Sequence, residues 1–190
     1  MTTSYIDYVK SLSSELRLPS LWVCPEVIPE VIYDDCIPRR IDIINGIDIV
    51  DYITDRKMKR DFVQYNSVFV SRVIEHIPIR VVDWYIVNLY QVMNKNAKLF
   101  AIVPDMDLVT DEIRKEWNNP NIDIFKIHRL NHEMFNEGNN IWDRHCFYTC
   151  LKSMTYMFEK EGLFKCESYE YIDVDSNTVP KQLKLTFVRI

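Results

Sequence analysis

The stretch "SVFVS", residues 67–71, is a short continuous apolar run, and "KLFAIV", residues 98–103, is another. Each has the composition of a strand buried on both faces. Between them "PIRVVDWYIVNLYQVMN" is apolar around much of its circumference, with Val81, Trp84, Tyr85, Leu89 and Met93 at helical offsets. A buried strand, a helix of about four turns, a short turn and a second buried strand make a βαβ unit. Such a unit is almost always a right-handed crossover in a parallel sheet.

The same periods organise the rest of the chain. "SYIDYVKSLSSEL" sets Tyr5, Tyr8, Val9, Leu12 and Leu16 on one helical face, which predicts an amphipathic helix ending near Pro19. "LWVC", "EVIY", "RIDII" and "IDIVDYI" are strand candidates, limited by Pro25, Pro29 and Pro38. "LVTDEIRKEWNN" predicts a helix stopped by Pro120, whereas "IDIFKIHRLNHEMFNEGNN" starts extended and turns polar and irregular. "TCLKSMTYMFEKEGLF" predicts a helix with Leu151, Met154 and Phe158 inward, Thr149 as N-cap and Gly162 as terminator. "KCESYEYIDV" and "KQLKLTFVRI" close the chain as an antiparallel strand pair. The expected architecture is a doubly wound, mostly parallel α/β sheet with that pair at its C-terminal end, a three-layer sandwich.

The length of 190 residues fits one domain spanning 1–190, with residues 1–18 as its N-terminal helix. Hydrophobic residues at 47% are enough for a sizeable core. A net charge of −5 argues against an electrostatic grip on nucleic acid, and the basic run "DRKMKRDF" is flanked by acids and reads as a solvated face. The N-terminus lacks a signal-type apolar core, and no segment approaches the roughly 20 apolar residues of a membrane span. The five cysteines, at 24, 36, 146, 150 and 166, include no CxxC pair, which fits reduced thiols in the cytoplasm. Only Gly46, Gly138 and Gly162 are present, so there is little material for a glycine-rich loop.

In open α/β sheets ligands bind beyond the carboxyl ends of the strands, which here directs attention after Val23, Tyr33, Val70 and Val103. After Val23 stand Cys24, Pro25 and Glu26, where Pro25 removes a backbone donor that a phosphate would use. After Tyr33, Asp34 and Asp35 either hold a ribose or form a solvated acidic turn. After Val70 comes "SRVIEHIP", in which Glu75 either binds a ligand or satisfies backbone donors. His76 is either a general base near neutral pH or part of a buried structural pair. Zinc needs three or four converging ligands, and the spacing of His128, His132, His145 and Cys146 supplies no compact second pair. No metal is expected, and Cys146 and Cys150 read as small core residues.

Taken in order, "VFVSRVIEHIPIRVVDWYIVNLYQVMNKNAKLFAIVPD", the acid-bearing "GIDIVDYITD" and "RLNHEMFNEGNNIWDRHCFYTCLKSMTYMFEKEGLFK" make the chain resemble the class I S-adenosylmethionine-dependent methyltransferases of type 11-like form. The resemblance covers residues from about 21 to 190. It departs at "LWVCPE", where the family's glycine-rich turn would be, and at "MNKNAK", where paired glycines are usual; Asn94 and Asn96 tolerate left-handed backbone there. The resemblance implies S-adenosylmethionine as cofactor, with Val23, Cys24 and Glu26 facing its methionine part. Asp34 or Asp35 would hold the ribose, Asp51 would lie near the adenine, and Ser71 and Arg72 would line the pocket below Glu75 and His76. The loop from His128 to His145 would hold the acceptor, with His76 or His145 as its base. Two readings follow: a methyltransferase acting on an acceptor the sequence does not identify, or a methyltransferase-like binding or structural module that has lost the cofactor. Under either, the terminal strand pair offers an edge for a protein partner or a second copy.

Overall fold

A computed structural model describes residues 15, 17, 20–23, 64–135, 145, 146, 148–172 and 182–190, with 22, 129 and 132–135 in backbone alone. The expected N-terminal helix and the strands expected from "EVIY", "RIDII" and "IDIVDYI" lie outside these residues. The "LWVC" run forms β1, Ser20–Val23, and the two buried apolar runs form β2, Tyr65–Ser71, and β3, Met93–Pro104. The helix between them is α1, Val82–Val92, so the expected βαβ unit is present. The closing strands are β4, Phe164–Ile172, and β5, Gln182–Arg189.

These make one five-stranded sheet in the order β1-β2-β3-β5-β4. β1, β2 and β3 are parallel, while β5 runs antiparallel to both of its neighbours. Side-chain alternation sets Val68, Val70, Leu99, Ala101, Val103, Leu183, Leu185 and Phe187 on one face, fully buried. Onto this face pack α1 and α4, Leu151–Glu159, and Phe158 stacks on Phe187 with ring centroids 4.4 Å apart. The opposite face carries Ser67, Phe69, Phe100, Lys184 and Thr186. Lys184, only 4% exposed, is paired with Glu15 at 3.2 Å and Glu170 at 2.9 Å. The Arg17 N–H donates to Ser67 Oγ at 2.7 Å, so Arg17 lies against this second face.

Several local expectations change. On α1 the buried stripe is Val82, Tyr85, Ile86, Leu89 and Val92, while Val81 and Trp84 point outward. Most of this helix is apolar, so periodicity alone did not fix which stripe faces the sheet. The "MNKNAK" stretch bulges out, because Tyr65 pairs Met93 while Ser67 already pairs Lys98. Asn96 takes the left-handed conformation with φ 63, and Asn94 Nδ2 donates to Asn66 Oδ1 at 2.8 Å.

After β3, Asp105 Oδ1 accepts from Asp107 and Leu108 N–H and caps α2, Met106–Trp117. The "IDIFKIHRLNHEMF" stretch, expected to start extended, is instead a helix, α3, Ile124–Phe135. Its N-terminus is set by Asp123, whose carboxylate accepts from the Lys126 N–H at 3.0 Å. Ile127 and Leu130, three apart, are buried among the side chains described on it. α4 is capped by Cys150 with Ser153 in a reciprocal box, not by Thr149, and the turn after it contains Gly162 at φ +67. Cys146 lies on an exposed loop, whereas Cys150 is buried as expected. No helix among the described residues is long and apolar enough to cross a membrane.

Candidate functional site

Because β1, β2 and β3 run parallel, Val23, Ser71 and Pro104 bring their carboxyl ends to one edge of the sheet. Ser71 is buried there, and the Arg72 N–H extends the ladder by donating to Ile102 O at 2.9 Å. Arg72 itself is left-handed, with φ 52, an uncommon geometry for a residue with a side chain. With the Gln182 amide turned so that its oxygen faces the guanidinium, that oxygen accepts from Arg72 Nε and Nη2. Gln182 pairs with Pro104, so Arg72 ties the end of β2 across β3 to the start of β5.

A short 3-10 turn, Ile74–His76, follows, closed by His76 N–H to Val73 O and Ile77 N–H to Ile74 O, both 3.1 Å. Glu75 is 1% exposed and His76 half-buried. Against this turn lies the segment that precedes α4. The Cys146 N–H donates to Glu75 O at 2.6 Å, and Cys146 Sγ donates to His76 O at 3.1 Å. The rings of His76 and His145 stand 5.0 Å apart, tilted by 58°. One ligand atom from each of Glu75, His76 and His145 lies within 4.8 Å of the other two. Adjacent residues in a turn diverge, but these long side chains still reach a common point beside His145.

Tyr148 and Thr149 of the "HCFYT" segment are anchored to the same edge. Thr149 Oγ1 donates to Pro104 O at 2.7 Å, and the Met106 N–H donates to Thr149 O at 2.8 Å. Tyr148 Oη donates to Asp107 Oδ1 at 2.9 Å and lies 3.1 Å from Thr110 Oγ1. Burial, with some help from Asp107, pushes the Tyr148 phenol up. Although Cys146 lies on an exposed loop, the partial burial of its sulfur against the Ile74–His76 turn pushes its thiol up. The Asp105 carboxyl is raised by burial, opposed by the Leu108 and Asp107 N–H groups it caps.

Of the residues expected at a site, Val23, Ser71, Arg72, Glu75, His76 and His145 are described, and the first three stand at the sheet edge with the other three in the turn and loop above it. Cys24, Glu26, Asp34, Asp35 and Asp51 lie outside the described residues. His128 stands exposed on α3, and the side chain of His132 is outside the described set. Gln182, Tyr148 and the anchoring role of Thr149 were not foreseen. Only Tyr148 and Thr149 carried a signal, through their place in "HCFYT".

No protein-family model matches this chain, and no curated protein matches it in sequence. Solved structures do. The magnesium protoporphyrin IX methyltransferase of Synechocystis PCC 6803, with bound SAH, is similar over 97% of this chain and 82% of its own, at 11% identity and a TM-score of 0.54. The N-methyltransferase NodS of Bradyrhizobium japonicum WM9 is similar over 97% and 93%, at 12% identity and a TM-score of 0.52. The 1,6-didemethyltoxoflavin-N1-methyltransferase of Burkholderia thailandensis, with bound 1,6-didemethyltoxoflavin and S-adenosylhomocysteine, is similar over 90% and 70%, at 6% identity and a TM-score of 0.53. With three parallel strands, a reversed β5 between β3 and β4, and helices α1 and α4 on one face, the chain has the fold of the class I S-adenosylmethionine-dependent methyltransferases.

Proposed function

We propose that this chain binds S-adenosylmethionine at the carboxyl edge of β1 and β2 and transfers its methyl group to an acceptor held beside His76 and His145. The observation that carries this reading is the gathering of "SRVIEH" and "HCFYT" on that edge of a methyltransferase-type sheet. Ser71 and Glu75, 0% and 1% exposed, are buried polar side chains there, and the left-handed Arg72 is a geometry that persists where surroundings enforce it. These residues fit the polar end of such a cofactor. S-adenosylmethionine supplies a methyl group on an electrophilic sulfonium.

In this reading Val23, Cys24 and Glu26 face the methionine part, Asp34 or Asp35 holds the ribose, Asp51 lies near the adenine, and Ser71 and Arg72 line the pocket below Glu75 and His76. Methyl transfer is an in-line displacement, so orientation does much of the work. A base is needed only for an acceptor that carries a proton, and His76 or His145 would take it. The magnesium protoporphyrin IX and 1,6-didemethyltoxoflavin enzymes are named for different acceptors, so the shared fold fixes none for this chain.

Thermal unfolding with S-adenosylmethionine and S-adenosylhomocysteine tests the reading. At about 100 times Kd a ligand stabilises by about 2.7 kcal/mol. For a chain of this size that is a rise of about 5–10 °C in Tm. No shift at millimolar concentration of either compound overturns the proposal and favours a module that has kept the fold without the chemistry, as the proline at "VCPE" would suit.

A further inference from the structure

We infer that Glu75, His76 and His145 form a three-ligand site for a divalent transition ion of the zinc type. The three offer two imidazole nitrogens and a carboxylate oxygen, all within 4.8 Å of one another. Ligands on a tetrahedral ion with bonds of about 2.0–2.1 Å sit about 3.3 Å apart, so modest side-chain rotation closes the set. The backbone under them is already fixed. Glu75 and His76 share one 3-10 turn, and the Cys146 N–H to Glu75 O bond, at 2.6 Å, holds the residue next to His145 against it.

The donor set selects the ion. Magnesium and calcium take oxygen ligands, whereas two imidazoles suit zinc, cobalt, nickel or iron(II). Cys146 Sγ is turned toward His76 O, at 3.1 Å, which leaves sulfur outside the trio. Three protein ligands leave a fourth position open, the arrangement of zinc sites that bind water or a substrate atom. A ligated imidazole has no lone pair to accept a proton, so the ion would change both histidines from bases to ligands. Ion binding here requires no S-adenosylmethionine, so ion binding and cofactor binding can each fail alone; with the ion in place the acceptor's proton would go to the open-position water or solvent and not to His76 or His145.

Metal-stripped full-length chain is titrated with Co2+, followed by its visible absorption, and then with Zn2+ in competition. The expected result is one ion per chain with Kd below about 10 µM. His145→Ala and His76→Ala should each weaken binding roughly 100-fold, given that even outer partners of a metal site cost about 10–100-fold. Cys146→Ser should leave binding unchanged, and a loss there overturns the assigned trio. Ring 15N resonances of the unaltered protein give a reading free of folding defects. Zn2+ should shift two of the four histidines, His76 and His145, and leave His128 and His132 in place. Kd above about 1 mM, or shifts confined to His128 and His132, overturns the site.

Discussion

The carboxylate of Glu116, 5% exposed at the end of α2, accepts from the Asp123 N–H, Lys126 Nζ and Asn119 Nδ2, each at 2.9 Å. These bonds, the Asp123 N–H foremost, hold its pKa down to about 2, against 4.5 for the unperturbed group. A depressed acid pKa contributes stability that is complete above the unfolded value. That contribution is lost as pH falls from 4.5 toward about 2. The urea midpoint should therefore fall between pH 6 and pH 3 more steeply in the natural chain than in Glu116→Gln, and equal slopes would contradict the bonding described. In the sequence Glu116 is one acid among several in "LVTDEIRKEW". What singles it out is the turn around Pro120, which brings Asp123 and Lys126 back to it. The candidate site shows the same limit: the "EH" pair stands out in the sequence, but its approach to His145 depends on backbone contacts between distant segments.

Elements were legible where one period dominated. "SVFVS", "KLFAIV" and the closing pair are strands because continuous or alternating apolar residues suit a sheet buried on one or both faces. α3 was missed because Ile122 just before it and Ile124 and Ile127 in its first turn read as β-branched strand formers. The cap at Asp123 and packing against α2 override that propensity. At the other end of the scale Gly162 was legible as a terminator, and its role is conformational: φ is +67, and an added Cβ would meet nothing within 4 Å. Gly162→Ala should thus cost about 1 kcal/mol from the left-handed backbone alone. A drop of about 2–4 °C in Tm is expected on scanning calorimetry, and an unchanged or higher Tm would contradict this geometry.

At the scale of the molecule, the parallel β1-β2-β3 ladder and the reversed β5 define an edge on which loops from either side of α2 and α3 meet. The βαβ rule made the sheet's parallel core foreseeable, and the strand-end rule directs the site proposal to the carboxyl edge of β1 and β2. Neither rule shows what occupies the edge, because that depends on side chains from distant segments. The most direct measurement is a titration of isotope-labelled chain with S-adenosylhomocysteine, following backbone amides. Saturable shifts at residues 71–76 and at Val23, with His145 and Cys146 responding, are the predicted result. Absence of any shift at millimolar ligand, or shifts confined to the opposite sheet face around Lys98 and Thr186, would contradict cofactor binding at this edge.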